Sequence, residues 1–113
     1  MDEVSNIKRS WYDLTKQMSS ILGQEPDLNA LLFLIGLQES GQGYRSYSKE
    51  EKQDLMHIGT CSILIADGYY RYNGNDEDGW PVYEQLKPLP AMNLKDQDLM
   101  LRKAVIQYFK ERQ

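Results

Sequence analysis

The chain has one cysteine and one histidine in 113 residues, no basic run longer than two residues, and no apolar stretch of membrane-spanning length. Each shortage excludes something. Cys61 alone cannot close an intramolecular disulfide, and its place within an apolar run points to a reducing compartment. The longest apolar stretch, Ala30 to Ile35 with its flanks, falls far short of the roughly 20 residues that cross a bilayer. The start, MDEVSNIKRSW, opens on acids and has no apolar secretory core, so a cytoplasmic, soluble protein is expected. Thirteen Lys and Arg stand against seventeen Asp and Glu, a net charge of −4. An acidic chain without a basic stripe is a poor match for a phosphate backbone, so nucleic acid is not the expected partner.

What remains is ordinary globular composition, 41% apolar and 27% charged. Residues 1–113 are expected to form a single domain whose core needs no metal or disulfide.

The apolar periodicity predicts four helices. Val4, Ile7, Trp11, Leu14, Met18 and Ile21 follow a 3-4-3-4-3 spacing, one narrow face of a helix over Val4–Leu22 that Gly23 and Pro26 end. This seam serves either its own core or a homodimer contact through helix one. Asp27 is placed to cap a second helix, apolar almost all round from Leu28 to Leu37 and therefore central. Ser48 with Glu51 is a capping box for a third helix, its body from Asp54 to Ala66 and its stop at Asp67-Gly68. Asn93 caps a fourth, Leu94 to Glu111, with Leu101, Ala104, Val105, Tyr108 and Phe109 inward. Between the third and fourth, Tyr69–Tyr72 and Trp80–Tyr83 flank Asn73–Gly79, the pattern of a β-hairpin with a long acidic tip. Pro81 belongs at a strand start or on an edge, and Lys87–Pro90 is an extended connector. The fold class is mainly α: four helices and one short hairpin. A winged-helix-like domain is the alternative, although Asp76, Glu77 and Asp78 make an unsuitable DNA-contacting wing.

Candidate chemistry is sparse. The Gly36–Gly43 stretch lacks the lysine and hydroxyl that a phosphate loop needs after its second glycine. Asp76, Asp78 and Gly79 fit three positions of a calcium loop, but Gly74 and Gln85 stand where ligands are required. His57 and Cys61 share one helix face, yet nothing completes a zinc set, and one helix is poor geometry for a nucleophile-base pair. A buried thiol and a hydrogen-bonded core histidine is the plainer reading. No catalytic residue, cofactor or metal ligand is assigned, and the protein is not expected to be an enzyme.

The aromatic distribution is the unusual feature. Tyr44, Tyr47, Tyr69, Tyr70, Tyr72, Trp80 and Tyr83 gather in or beside loops, accompanied by Arg45 and Arg71. Tyr, Trp and Arg dominate interface hot spots because each joins a large contact area to a polar handle. The competing role is to pin an irregular segment onto the helices. The expected function is a non-catalytic protein-interaction or assembly module using those nine residues. The alternatives are a winged-helix-like nucleic-acid binder or, further off, a small thiol or metal-assisted enzyme.

Two stretches also carry a family likeness: Leu31–Glu39 with Gly43-Tyr44-Arg45, and His57-Ile58-Gly59 followed by Asp76–Pro81 and Tyr83-Glu84. Together they resemble a family of small, mostly helical bacterial proteins of uncharacterised function, over most of the chain. The resemblance implies a free-standing bacterial cytoplasmic protein and assigns no site residue.

Overall fold

The computed structural model describes residues 2–43 and 45–112. Four helices, α1 (Glu3–Leu22), α2 (Leu28–Ser40), α3 (Lys49–Ile63) and α4 (Leu94–Glu111), enclose in sequence one antiparallel hairpin of β1 (Tyr70–Asn75) and β2 (Pro81–Gln85). The fold is mainly α, with the hairpin between α3 and α4 as the turn signals predict. No helix among the described residues is long and apolar enough to cross a membrane. Contacts gather in two compact units, Met1–Leu28 with Ala91–Gln113, and Asn29–Pro90.

The first unit is built on α1 and α4. Asp2 caps α1 by accepting from the Ser5 amide at 2.7 Å, and Gly23 closes it by donating to Ser19 O at 2.9 Å. Asn93 caps α4 through the Asp96 amide at 2.8 Å. The two helices run side by side in the same direction: Glu3, Val4 and Ile7 meet the stretch 96–103, and Ser10 to Gln17 meet 106–110. Of the predicted α1 seam, Leu14 is buried, Ile7, Trp11 and Met18 are half-buried, and Val4 and Ile21 are exposed. On α4, Ala104, Val105 and Tyr108 are buried, whereas Leu101 and Phe109 are only half-buried.

The second unit is held by a close crossing of α2 and α3. A Cβ built on Gly36 would lie 1.9 Å from Leu55 O, and one on Gly59 would lie 2.1 Å from Leu32 O. Only glycine permits helix backbones to come this near. Around the crossing Leu31, Leu32, Ile35, Leu55 and Ile58 are buried, while Phe33 and Leu34, predicted inside with them, are half-buried.

The Ser48–Glu51 capping box forms, each residue's side chain accepting from the other's amide. Arg45 adds an ion pair to Glu51 at 3.0 Å. The Arg45 hydrogen bond and then the Ser48 amide hold the Glu51 carboxyl at about 2, below its ordinary 4.5. Folding lowers this pKa, so the stabilisation is complete above pH 4.5 and disappears as the pH falls towards 2. Thermal melts across that interval should show the wild type losing more stability than Glu51→Gln, the two curves converging near pH 2.

Two boundaries differ from the sequence expectation. The helix predicted to reach Ala66 ends at Ile63, because Leu64 and Ile65 turn back to donate to Cys61 O and Ser62 O. The hairpin tip is shorter than the stretch Asn73–Gly79, since β1 runs on to Asn75 through an irregular register after Tyr72. Gly74 and Gly79, at φ +83° and +84°, allow the bulge and the tight turn. Asp76 then locks the tip. Its Oδ1 accepts from the Asp78 and Trp80 amides, both at 2.9 Å, and its own amide donates to Trp80 O at 2.8 Å.

Candidate functional site

The strand register sorts the aromatic residues. Tyr72 faces Tyr83 and Arg71 faces Glu84, so Tyr70, Tyr72 and Tyr83 share one side of the hairpin while Arg71 lies on the other. The tyrosine side is the one that leans on the helices. Tyr83 and Trp80 pack, half-buried, against Leu37, Leu55 and Ile58, and Tyr47 joins them edge-on to Phe33 at 5.9 Å.

Polar tips fix these rings. The Tyr70 hydroxyl is hydrogen-bonded to the Cys61 thiol, and the Tyr83 hydroxyl to the Ser62 side chain. Burial pushes the Tyr83 phenol up to about 12, reinforced by the nearby Glu39 carboxylate, so it is a neutral hydrogen-bonding group. Tyr83 and Trp80 of the hairpin and Tyr47 of the segment before α3 therefore spend part of their surface on the α2–α3 core.

Of the remaining members of the nine, Arg45, Arg71 and Tyr72 are presented outward. Tyr72 is 55% exposed, edge-on to Tyr83 at 6.1 Å, with its hydroxyl donating to Asn75 Oδ1 at 2.6 Å. Arg45 is exposed over the Tyr47 ring at 4.0 Å, and Arg71 is exposed in an ion pair with Glu84 at 2.6 Å. Tyr69 is half-buried beneath the Lys87 ammonium at 4.5 Å. Tyr44 lies outside the described residues.

Cys61 and His57 are in contact, Sγ to Nε2 at 3.5 Å, but they differ from the expected pair of core residues. Only Cys61 is buried; His57, one turn earlier on α3, is exposed. Burial pushes the Cys61 thiol up to about 11, only partly offset by Tyr70, which leaves it protonated near neutral pH. A protonated, enclosed thiol lacks the electropositive setting of reactive cysteines.

A feature that sequence reasoning missed lies beside these anchors. Glu51, Asp54, His57 and Ile58 of α3 face Asp76, Asp78, Trp80 and Pro81 of the hairpin across a groove of about 430 Å³. Positions 51, 54 and 58 lie on one helical face, so the spacing carried half of the signal. The other half, the approach of the acidic tip to that face, is a tertiary contact. Four carboxylates and one indole create a locally negative, partly apolar channel suited to a guanidinium or ammonium on an aliphatic stem. Among the described residues, no group of three or more His, Cys, Asp or Glu side chains is placed to hold a metal ion. Asp76, considered above as a calcium ligand, uses Oδ1 for the turn.

Comparison with protein-family models, curated proteins and solved structures finds no match to this chain.

Proposed function

We propose that the protein is a non-catalytic interaction module that holds a basic segment of a protein partner in the groove between α3 and the hairpin tip. The supporting observation is the lining itself: Glu51, Asp54, Asp76 and Asp78 around the Trp80 indole. Arg45 already neutralises Glu51, so Asp54 and Asp78 are the carboxylates left to meet an incoming cation at opposite walls. Tyr72 and the Arg45–Tyr47 stack supply exposed contact area for the residues flanking that cation. The proposed setting is the bacterial cytoplasm, in keeping with the family resemblance and with one buried thiol.

Fluorescence anisotropy with a labelled peptide alternating Arg and Gly tests the proposal. The peptide should bind more weakly as salt rises, while its Gln-for-Arg counterpart should not bind. Neutralising both walls with Asp54→Asn and Asp78→Asn should weaken binding about tenfold, since two exposed ion pairs each contribute up to about 1 kcal/mol. Equal affinity of the double variant and the wild type would refute the groove as the site.

A further inference from the structure

The acidic groove contains one group whose chemistry makes it change charge near neutral pH. His57 lines it from α3, with Glu51 and Asp54 of the same helix and Asp76 and Asp78 of the hairpin. Asp54 precedes His57 by three residues, the spacing that makes side chains neighbours on a helix surface. His57 is exposed, and its Nε2 lies 3.5 Å from the Cys61 sulfur one turn further on. A thiol donates to a bare ring nitrogen, and its sulfur accepts from a protonated one, so this contact suits both forms of the ring.

The groups around the imidazole hold their charge between about pH 5.5 and 8, the interval in which histidine titrates as a side-chain class. Arg45 keeps the Glu51 carboxyl at about 2. Burial keeps the Cys61 thiol at about 11, and the Tyr70 phenol bonded to it is raised as well. Asp54, Asp76 and Asp78 are exposed, and carboxylates as a class are ionised throughout that interval. Arg45 already neutralises Glu51, so a protonated His57 stands among the three further carboxylates, Asp54, Asp76 and Asp78. An incoming guanidinium seeks the same three. The two cations therefore compete for them and also repel each other across the groove.

We propose that His57 gates the groove: the neutral ring admits the basic segment, and the protonated ring takes that segment's place as an internal cation. The gate rests on the groove being the peptide site, and it confines capture of the partner to neutral and alkaline conditions. Linkage makes the effect reciprocal, so peptide binding at the midpoint of the transition expels a proton.

Anisotropy titrations at low salt test the gate, using the Arg-Gly peptide capped at both ends so that only its guanidinium groups are charged. Wild-type affinity should fall about fivefold from about pH 8 to about pH 5.5, the scale of one like charge brought within a few ångströms at a hydrated surface. His57→Gln should bind alike at both, as tightly as the wild type at the higher pH. His57→Lys should bind at the higher pH as weakly as the wild type does at the lower. Both substitutions fall at an exposed position and should melt with the wild type. A wild-type affinity unchanged by pH would overturn the gate while leaving the groove in place, and so would a pH dependence that survives in His57→Gln. Absence of binding at either pH would remove the groove reading, and the gate with it.

Discussion

Gly36→Ala and Gly59→Ala should each lower the melting temperature by about 10 °C, the largest single-residue effects expected in this chain. The added methyl carbon would stand 1.9 Å from Leu55 O in one case and 2.1 Å from Leu32 O in the other. In both the obstacle is a helix carbonyl, which cannot swing aside as a side-chain end can, so the helices must separate by more than an ångström. Separation uncovers the fully buried Leu31, Ile35 and Leu55. Overpacking of this kind costs about 1–3 kcal/mol, and for a chain near this length each kcal/mol moves the midpoint by about 4 °C. Alanine is otherwise the better helix former, so propensity alone predicts a gain. The sign of the change therefore decides between the close crossing and a loosely packed pair. Gly43→Ala is the control, because nothing lies within 4 Å of a Cβ there.

Trp80 gives the second large effect. Its ring both packs on Leu37, Leu55 and Ile58 and walls the acidic groove, so Trp80→Ala should lose stability and binding together. Full truncation of a buried aromatic costs about 3–5 kcal/mol, and half-burial of this one brings the expectation to about 2 kcal/mol. A chemical denaturation curve measures it. Asp76 permits the two roles to be separated. Asp76→Asn keeps an oxygen for the Asp78 and Trp80 amides and should melt near the wild type, while removing one negative charge from the groove. Asp76→Ala leaves both amides without their acceptor and should release the indole as well, costing about 1–2 kcal/mol. Equal stability of the alanine and asparagine variants would contradict the tip geometry.

The helical part of this architecture was legible because its signals are local. The Ser48–Glu51 box, the Asn93 cap and the Gly23 stop act within a few residues, and all three occur where the pattern placed them. Pro81 likewise opens a strand, as its missing amide requires. The long predicted tip failed because Asp76, read as one acid among three, is instead the acceptor that tightens the turn. The His57 assignment failed because burial does not extend along the whole face: Cys61 is buried, whereas His57, one turn earlier, is exposed. The aromatic residues posed a harder problem, since the same tyrosine serves an interface or a core equally well by composition. Strand register sorts only part of them: it puts Tyr70, Tyr72 and Tyr83 on one side and Arg71 on the other, yet Tyr83 packs on Leu55 and Ile58 while Tyr72 stays exposed. The groove was least legible, because Asp54 and Asp78 meet only once the hairpin folds back.

The central claim is that a cationic segment enters between Asp54 and Asp78 and lies against Trp80. Amide and indole chemical shifts of the isotopically labelled protein, titrated with the Arg-Gly peptide, test it most directly. The account predicts the largest perturbations at the Trp80 indole N–H and at the amides of His57, Asp78 and Gly79, with the Trp11 indole unmoved. Perturbations centred on Trp11 and the α1–α4 pair, or none at saturating peptide, would contradict it.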